Sequence, residues 1–327
     1  MSEYTSIVTH NDFDGIGSAA LLSWAYDIED IRFAGPITIE KAEIPITVED
    51  IVCDLPYPLE CGMWFDHHAG NLGVVKLRGI NADAIPGRFA VAPSCVRVVY
   101  DFLKGLDEVP DDYARLADAA DIIDSFAYPD IETWRADTPA NRIDRAIKAS
   151  SETRREQDDF LREMVFMLRD LSMEEIAASE FVSHRAARYV REEEIMLDLF
   201  RKYGRPFPEG STDELIVVDT TSFSNPVRLD KKLIGLLHPQ ARAYVEIKPV
   251  FRGGRKTNDV SVSLSLALRM QLEAHNKDMG EIVRELNIGD GHAGAAAGVW
   301  RCNSAHEFQT VKSELPAKIY DLWLKQT

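Results

Sequence analysis

Short apolar runs alternate with amphipathic stretches over the first part of the chain. Residues 5–9, 31–34, 50–54 and 62–66 read as strands, and 17–26, 93–103 and 111–123 read as helices. That βα alternation predicts a parallel sheet. From 139 to 203 the pattern is wholly helical, and Ser172-Met173-Glu174-Glu175 carries a capping-box signature that predicts the start of a long, charged helix. The run Gly204-Arg205-Pro206-Phe207-Pro208-Glu209-Gly210 interrupts the helical pattern and marks a boundary. Strands return at 214–219, 243–250 and 260–266, the last alternating as Val260-Ser261-Val262-Ser263-Leu264-Ser265-Leu266, which predicts one apolar face. A helix over 279–286 then leads into the small-residue stretch from Gly289 to Gly298, a glycine-rich turn of the kind whose amides can cradle an anion. The organisation expected is an N-terminal α/β domain over 1–150, a helical connector over 151–210 and a smaller mixed α/β domain over 211–327.

Composition narrows the class. The chain has 327 residues, 45% hydrophobic and 28% charged, which is ordinary for a soluble globular protein. No apolar run approaches the roughly 20 residues that span a bilayer, so no membrane partner is expected. The N-terminus Met1-Ser2-Glu3-Tyr4 lacks the basic start of a secretory signal, and a cytoplasmic location is the expectation. Cys53, Cys61, Cys95 and Cys302 show no CxxC spacing and read as buried thiols. The formal charge of −17 argues against a long nucleic-acid duplex, whose binding rests on a basic surface. One basic island, with Arg242, Lys248, Arg252, Arg255 and Lys256 against Glu246 and Asp259, is either a local anion site or a charged strand edge that blocks aggregation.

Three predicted strands end in residues that bind metals. The turn His10-Asn11-Asp12-Phe13-Asp14-Gly15 follows Ile7-Val8, Asp54 follows Ile51-Val52-Cys53, and Asp66-His67-His68 follows Met63-Trp64-Phe65. In open parallel sheets functional groups gather beyond the carboxyl ends of strands, so these segments are expected to converge. Each motif alone has a plainer reading, as a solvated turn, a helix cap or an ordinary histidine pair. A calcium loop is excluded, because Leu21 stands where the bidentate glutamate of an EF-hand would be. Imidazole beside carboxylates suits manganese, iron, cobalt or zinc. Four of the eight histidines, His10, His67, His68 and His292, fall within the motifs, a concentration that favours chemistry over chance. Ser222, Ser224 and Asn225 read as a capped turn, with no histidine in a triad pattern to make a nucleophile of either serine.

The ordered set resembles the DHH phosphoesterase family, named for the triplet seen here as Asp66-His67-His68. The family's first motif is similar to His10 through Gly15, its second to Asp54, and its fourth to Asp124, with Asp121 as a rival one helical turn earlier and Asp118 a weaker one. Val262-Ser263-Leu264-Ser265 and Gly289-Asp290-Gly291-His292 are similar to the serine-rich strand and glycine-rich signature of the DHH-associated substrate-binding subdomain. An arginine common in that strand is replaced by Ser265, and one glycine of the signature by Asp290. The resemblance implies two divalent metal ions, manganese first, with magnesium or cobalt as alternatives. It implies that His10, Asp12 and Asp54 bind one ion and that Asp14, Asp54, His67 and Asp124 bind the other. His68 would face the substrate phosphate and Asp66 would orient a histidine, while Gly289, Gly291, His292, Arg252 and Arg255 would hold substrate.

The function expected is hydrolysis of short oligoribonucleotides or small phosphorylated nucleotides by metal-activated water. Exopolyphosphatase or inorganic pyrophosphatase activity is the alternative, weakened by the missing arginine, and a non-catalytic nucleotide-binding regulator is the second. The exposed helical connector is the expected interface if the chain forms a homodimer.

Overall fold

The computed structural model describes residues 4–211 and 214–326, with the backbone alone at 271, 272 and 290. Met1–Glu3, on which the expectation about a leader rests, lie outside the described residues. By its contacts the chain divides into two compact units, Met1–Ala127 with Trp134–Val190, and Tyr128–Thr133 with Arg191–Thr327.

The first unit is built on a five-stranded, all-parallel sheet of β1 (Ser6–Thr9), β2 (Asp30–Phe33), β3 (Asp50–Cys53), β4 (Met63–Asp66) and β5 (Gly87–Phe89), in the order β2-β1-β3-β4-β5. Ile7, Val8, Ile51, Val52, Trp64 and Phe65 are all buried. Apolar side chains at successive positions must be covered on both faces, which is why these strands read as continuous apolar runs and not as alternating ones. The chain leaves β1 for β2 on one side and returns to β3 on the other, so β1 and β3 border the switch point where open sheets bind ligands.

The helices of this part are α1 (Phe13–Tyr26), α2 (Pro36–Glu40), α3 (Ala69–Leu77), α4 (Cys95–Lys104), α5 (Asp111–Ser125), α6 (Ile131–Arg135), α7 (Pro139–Lys148), α8 (Arg154–Asp170), α9 (Met173–Ala178) and α10 (Glu180–Tyr203). The predicted strands and the helices at 17–26, 93–103 and 111–123 correspond to β1–β4, α1, α4 and α5, whereas β5 and α3 had no periodic signal. One expectation is corrected. The capping box at Ser172 opens only the six-residue α9, because Ser179 turns extended and caps a new helix through Val182 N at 3.3 Å. Within the expected connector 151–210, α8 packs on α1 and β2, with Tyr113 Oη donating to Arg169 O at 2.8 Å, and a division of units falls within α10.

The second unit holds a six-stranded mixed sheet of β6 (Gly204–Phe207), β7 (Leu215–Asp219), β8 (Ala243–Arg252), β9 (Arg255–Leu266), β10 (Gly289–Gly291) and β11 (Ala295–Trp300), in the order β10-β11-β9-β8-β7-β6. The expected break at Gly204 is itself an edge strand, paired antiparallel with β7. Its helices are α11 (Ile234–Leu237), α12 (Met279–Glu285) and α13 (Ala305–Lys325). Phe308, Val311, Leu315, Ile319 and Trp323 recur at helical spacing and join Val245, Ile247, Val262 and Leu264 in one core. Among the described residues no helix is long and apolar enough to cross a membrane.

Candidate metal centre

Backbone constraints set each acidic or imidazole group at the carboxyl edge of the first sheet. After β1, Asp12 caps α1 by accepting from Gly15 N at 3.0 Å, and Thr9 Oγ1 donates to Gly15 O at 2.6 Å. A Cβ at position 15 would stand 2.5 Å from the His10 carbonyl oxygen, so only glycine closes this turn. Asp14, in the first turn of α1, accepts from Cys95 N at 2.7 Å and Val96 N at 2.8 Å, the free amides that open α4. Asp54 ends β3 with φ of 56°, a left-handed conformation that aspartate tolerates better than most residues, and its N–H donates to Phe65 O at 3.0 Å.

The side chains then meet. His10 Nδ1 lies 2.7 Å from Asp12 Oδ2 and 3.6 Å from Asp54 Oδ2. His67 Nε2 lies 3.5 Å from Asp14 Oδ2 and 3.6 Å from both Asp54 Oδ1 and Asp124 Oδ2. Asp54 thus borders both sets, one oxygen toward each, and ligand atoms of His10, Asp12 and Asp54, or of Asp14, His67 and Asp124, lie within 4.8 Å of one another. Asp54, His67 and His68 form a third such group. Asp121 and Asp118 are engaged elsewhere: Asp121 accepts from Ser94 Oγ at 2.7 Å and Arg97 Nε at 2.9 Å, and Asp118 pairs with Arg97.

His67 Nδ1 is 3.0 Å from the carbonyl of Ala92, an acceptor only, so that nitrogen carries the proton and Nε2 presents its lone pair to the carboxylates in the neutral ring. Nε2 is buried with no hydrogen-bond partner among the described residues. Asp66, fully buried, accepts from His67 N at 2.9 Å, His68 Nδ1 at 2.8 Å and Asn71 Nδ2 at 2.7 Å. His68 is therefore turned so that its other ring nitrogen faces away from Asp66.

The electrostatics follow from burying several carboxylates together. Burial, with Asp54 and Asp124 beside it, holds the Asp14 carboxyl well above its usual range. Burial and the charges of Asp54 and Asp12 push Asp124 up to about 6. For Asp54 burial acts upward too, but the contacts from His10 and His67 outweigh it and hold the carboxyl far down. Burial disfavours a charged His67, yet Asp54, Asp14 and Asp124 raise it to about 10. Such a pocket favours cations over any neutral occupant. An orphaned imidazole nitrogen among carboxylate oxygens is a donor set that fits a manganese-type divalent ion.

The residues expected to hold substrate lie in the second unit. Gly289 and Gly291 form β10 against β11, where a Cβ would meet the Ala297 carbonyl oxygen at 2.1 Å or Ala296 Cα at 2.4 Å. Their glycine character is thus explained by close strand approach. The expected anion nest is in part spoken for, since His292 N donates to Ala295 O at 2.9 Å and Gly294 N to His292 Nδ1 at 3.1 Å. Arg252 and Arg255 flank the Gly253-Gly254 turn of the β8–β9 hairpin, and Arg252 pairs with Asp259 at 2.7 Å. Sequence reasoning missed the Ala92 carbonyl and the Cys95 and Val96 amides, which are backbone groups without a residue signature. It also missed Asn71, whose role depends on α3.

No protein-family model and no curated protein matches this sequence. Among solved structures the chain has the fold of DHH-domain proteins, an α/β architecture with a parallel sheet followed by a second mixed sheet. A pGpG-specific phosphodiesterase, PggH from Vibrio cholerae, matches with a TM-score of 0.67 at 22% identity, over 97% of this chain and 99% of that one. The DHH domain of a protein from a ribosomal-protein family matches with a TM-score of 0.65 at 12% identity, over 99% of this chain and 88% of that one. RecJ from Thermus thermophilus, in complex with Mn²⁺, matches with a TM-score of 0.55 at 12% identity, over 98% of this chain and 52% of that one.

Proposed function

We propose that the chain is a divalent-metal-dependent phosphoesterase that hydrolyses short oligoribonucleotides or small phosphorylated nucleotides. The observation that carries this reading is Asp54, buried between two ligand groups and turned with one oxygen toward each. His10, Asp12 and Asp54 would hold one ion, and Asp14, Asp54, His67 and Asp124 the other, with manganese as the ion that suits mixed imidazole and carboxylate donors. When bound, paired divalent ions lower the pKa of a water and stabilise charge that grows on a phosphoryl oxygen.

The protein's own groups do the rest. The α4 amides fix both oxygens of Asp14, and the Ala92 carbonyl fixes the tautomer of His67. Burial opposes a charge on His68, but its bond to Asp66 raises its pKa, so its outward nitrogen serves as a proton donor to a phosphate or leaving oxygen. Gly289, Gly291, His292, Arg252 and Arg255 are the proposed substrate contacts of the second unit. The pGpG substrate named for PggH and the Mn²⁺ named for RecJ support the substrate class and the ion.

Chelator-treated protein, assayed against pGpG, short 5′-phosphorylated ribo-oligonucleotides, polyphosphate and pyrophosphate, tests this. Mn²⁺ is expected to restore turnover of the nucleotides and to leave the inorganic phosphates poorly used. Faster turnover of polyphosphate, or no turnover with any ion, contradicts the proposal.

A further inference from the structure

One short segment, from Ala92 to Arg97, supports two ligands of the second group directly. The Ala92 carbonyl accepts from His67 Nδ1 at 3.0 Å, and the Cys95 and Val96 amides hold the two oxygens of Asp14 at 2.7 and 2.8 Å. Asp124 sits on another element, near the end of α5. Three residues before it on the same helix, Asp121 ties α5 back to the segment. Its Oδ1 accepts from Ser94 Oγ at 2.7 Å, and its Oδ2 from Arg97 Nε and Nη2, each at 2.9 Å. Ser94 is fully buried and caps α4, its hydroxyl accepting from Arg97 N at 3.1 Å. Both oxygens of Asp121 are therefore spent on the first turn of α4.

Holding two helices together does not require this. Leu116, Ala117, Ala120 and Ile123 already bury the apolar side of α5. Apolar burial is non-directional, however, and leaves a helix free to shift along its neighbour. A carboxylate with both oxygens bonded to charged and capping donors fixes position and rotation as well. Residues three apart lie on one side of a helix, so what fixes Asp121 also fixes Asp124. Asp124 Oδ2 is thereby set 3.6 Å from His67 Nε2, on a ring that hangs from the same segment. The first ligand group has other supports. Asp12 is held by Gly15 N, His10 lies against Asp12, and Asp54 is aimed by its own left-handed turn.

We propose that Asp121, with Ser94 and Arg97, is a positioning clamp that keeps Asp14, His67 and Asp124 in register for one ion and leaves the ion of His10 and Asp12 alone. Asp121 is a positioning residue, acting through Asp124 and the first turn of α4 and not as a ligand. The inference rests on the two-ion reading above.

Calorimetric titration of Mn²⁺ into the metal-stripped full chain tests it without turnover, with Asp12→Asn marking which binding event belongs to the first group. Asp121→Asn is expected to weaken the other event by about 10- to 100-fold, the range for groups that orient metal ligands, while the first event changes less than about twofold. Arg97→Met is expected to do the same. Because both break one clamp, the double variant is expected to lose no more than about twofold beyond the larger single loss. A merely structural role lowers the melting temperature without telling the two ions apart. Where circular dichroism shows Asp121→Asn unfolded, Arg97→Met decides. Equal weakening of both events, an unchanged second event in a folded variant, or additive losses overturns the clamp. Fewer than two Mn²⁺ bound by the unsubstituted protein overturns it together with the two-ion reading. Failure of the phosphoesterase reading is separately visible, as absent Mn²⁺-dependent turnover with the selective loss of one ion intact.

Discussion

At the scale of single residues, the centre is governed by competition between protons and cations. His67 is raised to about 10 by three carboxylates, so at neutral pH in the absence of metal it carries a proton that must leave before Nε2 can bind an ion. A raised pKa means that the proton is held below that value and lost above it. Metal affinity is therefore expected to rise with pH toward about 10, with release of more than one proton per chain near pH 7.5, because His10 is also raised well above its ordinary value, burial opposing its charge but Asp12 and Asp54 outweighing it. Below about 6 Asp124 takes up a proton as well, and affinity is expected to fall more steeply. Calorimetric titration of Mn²⁺ in buffers of different ionisation enthalpy measures that release, and a value of zero contradicts the role given to His67. Asp66 acts at one remove, holding His68 by Nδ1 while Asn71 occupies its other oxygen.

At the scale of elements, the sheet brings distant segments together and the turns aim them. The turn between β1 and α1 shows the dependence most clearly, because a Cβ at position 15 collides with backbone and not with a yielding side chain. Gly15→Ala is expected to cost about 1–3 kcal/mol and to weaken Mn²⁺ binding, since His10 and Asp12 move with the turn. Thermal melts and metal titration check this, and unchanged metal affinity in a folded variant argues against it. Much of this was legible in the sequence, because Ile7-Val8, Ile51-Val52 and Trp64-Phe65 are uninterrupted apolar pairs followed at once by polar ligands. What was not legible has physical reasons. β5 is three residues with an exposed arginine, too short for periodicity. The charged surface of α8 suggested a connector, yet Phe160, Leu161, Met164, Val165 and Leu168 form its buried stripe. The glycines at 289 and 291 suggested a turn, because close strand approach and tight turning both select the residue without a Cβ.

At the scale of the molecule, a formal charge of −17 sets the terms on which any phosphorylated substrate arrives. Repulsion between like charges slows encounter and is screened by salt. For a short anionic substrate at saturating Mn²⁺, kcat/KM is expected to rise as ionic strength goes from about 0.01 to 0.15 M, the range in which the Debye length shrinks from roughly 30 to 8 Å. A steep fall would indicate a basic guiding surface instead. Asp54 stands between the two ligand groups, with Oδ2 toward His10 and Oδ1 toward His67. The most direct test of this role is release of mononucleotide from a short 5′-phosphorylated ribo-oligonucleotide with Mn²⁺, comparing the protein with Asp54→Ala. Turnover that falls by about 10³-fold or more, in a variant that remains folded, is the predicted result for loss of an ion-holding group that stabilises the transition state. Turnover that survives the substitution, or is absent from both proteins, contradicts it.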